Sequence, residues 1–204
     1  MAVVPDASLT WLPEQGRPEQ LVLLLHGWAS EPKALAPLGI AVRTLLPGYP
    51  AVLAKLEGAE EVLELGEAFG GPARLLAARS AAAQDLLILD APHLYARPGN
   101  PYLGPDGRDW QDNYRRFGLL SRIAAEIGTG RLDSWRPDLV HAHDWQAGLV
   151  AAYLEQAPEG RPATVLTVHN LAFQGLFDPS CIGELGLSPA GFQFEGYESW
   201  GRVG

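Results

Sequence analysis

Pro137-Asp138-Leu139-Val140-His141-Ala142-His143-Asp144-Trp145 passes from an aliphatic pair into a dense run of imidazole, carboxylate and indole. Asp138 to Val140 and its flanks read as a strand with the polar run at its carboxyl end. The arrangement recurs along the chain. Leu21-Val22-Leu23-Leu24-Leu25 reads as a buried strand ending at His26-Gly27, Leu86 to Leu89 as one ending at Asp90-Ala91-Pro92, and Thr164 to Val168 as one delivering His169 and Asn170. Between these strands the period changes. Phe117, Leu120, Ile123, Ala124 and Ile127 fall at helical spacing within Trp110 to Ile127, and Gly128 and Gly130 end that helix. Ala147 to Leu154 reads as a further helix. Strands alternating with helices predict an α/β fold, a parallel sheet covered by helices on both faces.

The remaining segments fit the same scheme. Ala41 to Leu46 reads as a strand stopped by Pro47-Gly48, and Val62 to Leu65 as a weak one. Ala73 to Ala78 suits a strand or a helix. Glu31 to Leu38 is read as a short helix with Ser30 as its N-cap and Pro32 in its first turn. Ala96 to Asp109 is rich in Pro, Gly and Asp and reads as a long loop, and a short helix is expected near Ile182 to Leu185. Phe192 to Gly204 carries four aromatics, Phe192, Phe194, Tyr197 and Trp200, and is expected to pack against something; the C-terminus is read as a truncation.

Composition removes several function classes. The 204 residues are 47% hydrophobic and 19% charged, enough for one well-buried domain. Fifteen basic residues against 24 acidic ones give a net charge of −9, with no basic cluster, so no nucleic-acid partner is expected. The single cysteine, Cys181, permits no disulfide within the chain and fits a reducing, cytoplasmic setting. Asp6, Glu14 and Arg17 precede the first apolar run, which excludes a secretory signal there, and that run is too short to span a bilayer, so no membrane partner is expected. Only two basic residues, Lys33 and Lys55, are lysines.

In parallel α/β sheets, ligands bind outside the carboxyl ends of the strands. The residues to weigh there are His26, Asp90, His93, His141, His143, Asp144, His169 and Asn170, which include all five histidines of the chain. His141 and His143 share a face if the strand continues, which suits two metal ligands with His169 and Asp178 as later ones, but no dedicated ligand spacing follows. The alternative use is hydrogen bonding to a polyhydroxylated ligand, with Trp145 offering a flat face to a sugar ring. Leu21 to Ser30 resembles the first core strand and oxyanion loop of α/β-hydrolases. None of the serines, however, has the Gly-x-Ser-x-Gly flanking of a nucleophile elbow. Gly70-Gly71-Pro72 lacks the Lys or helix start of a phosphate-cradling loop.

From about Pro37 onward the chain resembles the N-terminal domain of the bacterial, ADP-glucose-dependent glycogen/starch synthases. The resemblance is carried by Leu45-Leu46-Pro47-Gly48-Tyr49-Pro50, by Asp90-Ala91-Pro92-His93-Leu94-Tyr95 with Arg97-Pro98-Gly99-Asn100-Pro101-Tyr102, and by Asp109 to Phe117. Pro137 to Trp145 and Thr167-Val168-His169-Asn170-Leu171-Ala172-Phe173-Gln174-Gly175 complete it. It covers roughly four-fifths of the chain. It implies a Rossmann-like sheet, the incomplete N-terminal half of a two-Rossmann-domain (GT-B) glycosyltransferase. It also implies transfer of glucose from ADP-glucose to the non-reducing end of an α-1,4-glucan with retention, without metal or other cofactor. On that resemblance His169 would face the donor glucose and the developing anomeric charge, with Asn170 beside it. Asp144 would bond sugar hydroxyls near the reacting centre. Tyr95 and His143 would line the acceptor side, Trp145 would shape the same wall, and Gln146 stands where many members have another histidine.

The departures divide the chain. The Lys-Thr-Gly-Gly-Leu loop with which the family begins is absent: neither Lys33 nor Lys55 is followed by Thr-Gly-Gly. Residues 1–36 instead look like the start of an α/β-hydrolase carboxylesterase, with a junction expected near Ala34 to Gly39, while 37–204 are read as the truncated acceptor-side domain. The nucleotide-sugar domain is absent too, so the isolated chain is expected to be inactive. A non-catalytic glucan-binding remnant and a hydrolase, metal-dependent through His141 and His143 or ester-cleaving through His26-Gly27, are the alternatives.

Overall fold

The computed structural model describes residues 22–26, 39–44, 57–79, 85–98, 102–133 and 135–204. Seven strands form one sheet: β1 (Val22–His26), β2 (Gly39–Thr44), β3 (Glu57–Glu67), β4 (Pro72–Arg79), β5 (Asp85–Asp90), β6 (Leu139–His143) and β7 (Ala163–Thr167). Their order is β3-β4-β5-β2-β1-β6-β7. Five of them, β5-β2-β1-β6-β7, pair in parallel. The first strand pairs β2 on one side and β6 on the other, so it lies in the middle of the sheet. The junction expected near Ala34 to Gly39 and the helix expected over Glu31 to Leu38 fall almost wholly outside the described residues.

The sheet departs from the all-parallel expectation at one edge. β3 and β4 run antiparallel, and β4 meets β5 antiparallel. For the β3–β4 pair the cause is local: Ala68 N–H bonds the carbonyl of Gly71 at 2.8 Å, and so tight a turn joins only antiparallel neighbours. Ala73 to Ala78, undecided between helix and strand, is the strand β4. Its consecutive residues Leu75, Leu76, Ala77 and Ala78 are all buried, a pattern in which neither period shows.

The main covering helix among the described residues, Asn113–Gly128, packs on β1, β2 and β6. The five apolar positions read from its spacing are all buried. At about 1.5–3 kcal/mol for each fully buried large side chain, this face outweighs capping, because the Asp112 side chain caps nothing and is given to Arg97 instead. The helix expected over Ala147 to Leu154 forms as Trp145–Gly148 and Val150–Glu155, and Ile182–Leu185 is helical as read. Pro92–Tyr95 adds a helical turn that the spacing did not reveal. The C-terminal aromatics divide. Tyr197 is buried and bonds the carbonyl of Ser188, and Phe192 packs partly on the core, whereas Phe194 and Trp200 stand exposed. No helix among the described residues is long and apolar enough to cross a membrane.

Candidate functional site

In chain order the five parallel strands are β1, β2, β5, β6 and β7, so across the sheet they run third, second, first, fourth, fifth. Succession reverses between β1 and β6, and a crevice at the carboxyl ends beside such a reversal is where α/β sheets take ligands. The residue following β6 at that place is Asp144.

Asp144 has φ +57° and ψ −177°, a conformation that side-chain-bearing residues rarely adopt and that costs on the order of 1–3 kcal/mol. Two hydrogen bonds hold it. Its own N–H donates to the carbonyl of Thr167 at 2.8 Å, and its Oδ1 accepts the backbone N–H of His169 at 2.7 Å. The carboxylate thereby fastens the residue after β6 to the second residue after β7, and the strained turn aims the chain into the helix starting at Trp145.

The three histidines at this end form a ladder. His141 and His143 lie two apart on β6, on one face, with ring centroids 4.3 Å apart. His169 stacks on His143 at 5.2 Å, and His143 Nδ1 and His169 Nε2 are 2.9 Å apart. His141 Nε2 bonds the Thr167 hydroxyl at 2.7 Å. Burial, and then the neighbouring charge of His169, hold the His141 imidazole below its ordinary range. His143 is buried and His169 exposed. Among the described residues no group of three or more His, Cys, Asp or Glu is disposed to hold a metal ion.

Beside the ladder opens a cleft of about 620 Å³, lined by Tyr102, Asp109, Asn113, Asp144, Trp145, Gln146, Asn170, Phe173 and Phe177 among others. Trp145 is set by aromatic neighbours: Phe117 edge-on at 4.8 Å, Tyr102 at 5.9 Å and Phe177 at 6.0 Å. The buried Gln146 amide donates to the Tyr102 oxygen at 2.8 Å. Burial raises the Tyr102 phenol, the Gln146 bond lowers it, and the Asp144 charge raises it again, with a net upward shift that keeps it neutral. The Asn170 side-chain Oδ1 accepts from Ala172 N–H at 2.9 Å and shapes its own loop. An apolar wall with a few convergent polar groups is what a sugar ring needs: CH faces on the aromatics, hydroxyls on amide and carboxylate.

Of the expected site residues, Asp144, Trp145, Gln146 and Asn170 line this cleft, and His143 and His169 stand beside it in the ladder. Tyr95 is elsewhere. It is 1% exposed, and its hydroxyl donates to the Arg116 carbonyl at 2.7 Å. It therefore lies beneath the site, in a buried relay: Arg116 donates to Asn113 Oδ1 at 2.7 Å, and Asn113 donates to the Tyr102 carbonyl at 3.0 Å. His93 is structural as well, its Nε2–H donating to the Ala68 carbonyl at 2.8 Å under the β3–β4 turn. Asp90 is buried with Oδ2 on Arg74 at 2.7 Å, and burial raises its carboxyl. The side chain of His26 lies outside the described features. Tyr102, Phe173 and Phe177 were not singled out from the sequence as site residues. Tyr102 and Phe173 lie within the Arg97 to Tyr102 and Thr167 to Gly175 motifs, and Phe177 just beyond the second.

The starch synthase catalytic domain family model matches residues 28–204. Glycogen synthase of Rhodopseudomonas palustris strain BisA53 is 58% identical over 173 residues, 85% of this chain and 35% of the relative. Glycogen synthase of Methylocella silvestris is 55% identical over 173 residues, 85% of this chain and 36% of the relative. The chain thus spans about a third of the length of the curated relatives it matches. Among solved structures, the catalytic domain of starch synthase IV from Arabidopsis thaliana bound to ADP and acarbose superposes with a TM-score of 0.66 at 20% identity, covering 90% of this chain and 41% of that one. That likeness shows the fold.

Proposed function

The chain belongs to the starch synthase catalytic domain family, its sheet being part of the Rossmann-like N-terminal half of a GT-B glycosyltransferase, and from that premise we propose that it is the acceptor-side portion of a cytoplasmic glycogen synthase. In this reading the complete enzyme moves glucose from ADP-glucose to the non-reducing end of an α-1,4-glucan with retention, without metal or cofactor. The observation that carries it is the cleft at the sheet's reversal point, where Trp145, Tyr102 and Phe177 make an aromatic wall beside Asp144, Gln146 and Asn170. The ADP and acarbose of the Arabidopsis structure support a nucleotide sugar and a glucan as ligands of this fold.

The roles proposed are those that the family resemblance implies. Trp145 stacks a sugar ring while Asp144 and Asn170 bond its hydroxyls. His169 faces the donor sugar as positive charge develops at the anomeric carbon. Preorganised dipoles stabilise such charge because they need not reorganise during the step. A second reading, a glucan-binding remnant without catalysis, draws on the missing Lys-Thr-Gly-Gly sequence, since neither Lys33 nor Lys55 is followed by it.

Titration of maltoheptaose into the chain, by calorimetry and indole fluorescence, tests the proposal. Saturable binding is expected, weakened at least about tenfold by Trp145→Ala, the loss of one stacking and aromatic contact. No turnover of ADP-glucose by the chain alone is expected. Absence of glucan binding overturns the acceptor-side assignment. Joining the chain to the remaining two-thirds of the Rhodopseudomonas synthase separates the readings: transfer to glycogen supports the enzyme portion, and none supports the remnant.

A further inference from the structure

Asn113 opens the long helix and is 2% exposed, yet it carries a polar side chain that the helix does not use. Alanine would serve the helix better. The amide is instead stretched between two other groups. Its Oδ1 accepts from an Arg116 guanidinium nitrogen at 2.7 Å, and its Nδ2 donates to the backbone carbonyl of Tyr102 at 3.0 Å. A guanidinium has only donors and a carbonyl only accepts, so both partners demand the same orientation of the amide. Arg116 is itself buried, and the Tyr95 hydroxyl donates to its backbone carbonyl at 2.7 Å. The orientation of Asn113 is therefore set from inside the core.

The carbonyl that Asn113 holds belongs to a residue of the cleft wall. It also accepts the N–H of Trp110 at 3.0 Å, and Leu103 pairs with Asp109, so residues 103–109 close as a loop with Tyr102 at its base. The Trp110 bond closes the loop upon itself, whereas the Asn113 bond fixes Tyr102 to the helix that packs on the sheet. The Tyr102 ring stands 5.9 Å from that of Trp145, and its hydroxyl accepts from Gln146. Tyr102 is thus held at its backbone by one helix and at its hydroxyl by another. A ring held by the hydroxyl alone would be free to pivot. We propose that Asn113 is a positioning residue for the cleft, its amide kept by Arg116 in the orientation that fixes Tyr102 against Trp145. Asn113 borders the cleft, but with both ends of its amide engaged it acts through Tyr102. The inference rests on the reading above in taking Tyr102 and Trp145 as the glucan wall; the clamp itself belongs to the ligand-free chain.

Asn113→Asp separates the clamp from the core. It keeps the size of the side chain and an acceptor for Arg116, but it sets an oxygen against the Tyr102 carbonyl where a donor stood. NMR of the ligand-free chains is the first measurement. In the unaltered chain the Asn113 amide protons should exchange with solvent at least about tenfold more slowly than those of an exposed asparagine. The Tyr102 and Trp145 rings should show a direct cross-relaxation contact. Asn113→Asp should weaken that contact and shift the Trp145 indole N–H signal, with the helical circular dichroism unchanged. Maltoheptaose titration is the second measurement. Asn113→Asp should weaken binding about fivefold, the scale of one net hydrogen bond. The same substitution placed in a Tyr102→Leu chain should weaken it no further, because the residue through which it acts is gone. A merely structural role would cost the same in both backgrounds. Rapid exchange of the Asn113 amide in the unaltered chain, unmoved Tyr102 and Trp145 signals in a folded Asn113→Asp chain, or equal losses in the two backgrounds would each overturn the proposal. If the unaltered chain binds no glucan, the acceptor-side reading falls, and the NMR measurements still decide the clamp.

Discussion

A β-carbon on Gly175 would lie 2.1 Å from Cε3 of Trp145, with Cδ2 at 2.6 Å and Cζ3 at 2.9 Å. The indole of the cleft wall is thus laid directly on the backbone of the loop after β7, at a residue with φ +59°. Both facts demand glycine: the conformation is left-handed, and the space is filled by a ring that Phe117 and Phe177 already hold from other sides. Gly175→Ala is expected to destabilise the chain by about 2–4 kcal/mol, combining left-handed strain with overpacking. It should displace Trp145 enough to weaken maltoheptaose binding at least as much as Trp145→Ala. Urea unfolding and the calorimetric titration measure the two effects. Unchanged affinity in a folded Gly175→Ala chain would mean that Trp145 does not shape the binding wall.

Gln146 holds Tyr102 from within the core, its amide donating to the phenol oxygen at 2.8 Å. An amide does not titrate, so this part of the wall is indifferent to pH. Gln146→Leu removes the donor and should cost about 1 kcal/mol of stability, an ordinary net value for a buried hydrogen bond. Gln146→His restores a donor while neutral but gains a proton as pH falls, at a buried position where charge is disfavoured. Its glucan affinity should match the unaltered chain at pH 8 and fall below it by pH 5.5, after correction for the unaltered chain's own profile. Parallel profiles at both pH values would show that the residue has no bearing on the cleft.

The parallel part of the fold was legible because its strands carry continuous aliphatic runs that end abruptly in polar residues, as at Leu89-Asp90 and Val140-His141. The antiparallel edge was not, because β4 is buried at successive positions and the direction of β3 is set by a turn rather than by composition. Asp144 and Asn170 were readable as cleft-lining residues since a strand end is also a cleft edge in this topology, whereas Gln146 was marked only by the family resemblance. Tyr95 shows the limit. It sits in a motif beside the cleft, yet its ring points into the core and its hydroxyl is spent on Arg116. A one-dimensional motif records neighbourhood, and the direction of a side chain on one helical turn is settled only by packing. Tyr102 escaped for the converse reason: it closes a loop rich in Pro and Gly, and its place opposite Trp145 depends on Asn113 and Gln146, far along the chain.

Asp144 allows strain to be separated from side-chain chemistry. Asp144→Gly removes the carboxylate but relaxes φ +57°, whereas Asp144→Ala removes the carboxylate and keeps the strain. Both lose the bond to the His169 N–H. The glycine variant is therefore expected to be the more stable of the two by about 1 kcal/mol, near the low end of what such a conformation costs. Both should bind maltoheptaose more weakly than the unaltered chain, by about tenfold, a loss in the range of a hydrogen bond to a charged group. Asp144→Asn should retain the turn, because its amide oxygen can still accept from His169. An alanine variant as stable as the glycine variant would show that the turn carries no stored strain.

Arg97 and Asp112 tie the helical turn at Pro92–Tyr95 to the start of the long helix. Two guanidinium nitrogens face the two carboxylate oxygens at 2.6 and 2.5 Å, Arg97 also donates to the His93 carbonyl at 3.2 Å, and its guanidinium lies 5.0 Å from the Trp110 ring centroid. Burial pushes the Asp112 carboxyl upward, but the hydrogen bonds and charge of Arg97 together outweigh it and leave it below its ordinary 3.8. A carboxyl depressed in the folded state binds fewer protons there than in the unfolded chain. Its stabilisation is thus complete above pH 3.8 and is lost as pH falls through the lower folded value. Asp112→Asn should lower stability at pH 7 by about 1 kcal/mol, in keeping with a bidentate pair that is only partly buried. The difference between the two chains should then shrink as pH falls below about 4. Urea unfolding of both chains at pH 7, 5, 4 and 3 gives the comparison, and subtracting one curve from the other removes the carboxylates they share. A difference that stays constant to pH 3 would mean that Asp112 acts through its shape and not through its charge, and that Arg97 is held in place by Trp110 and the His93 carbonyl.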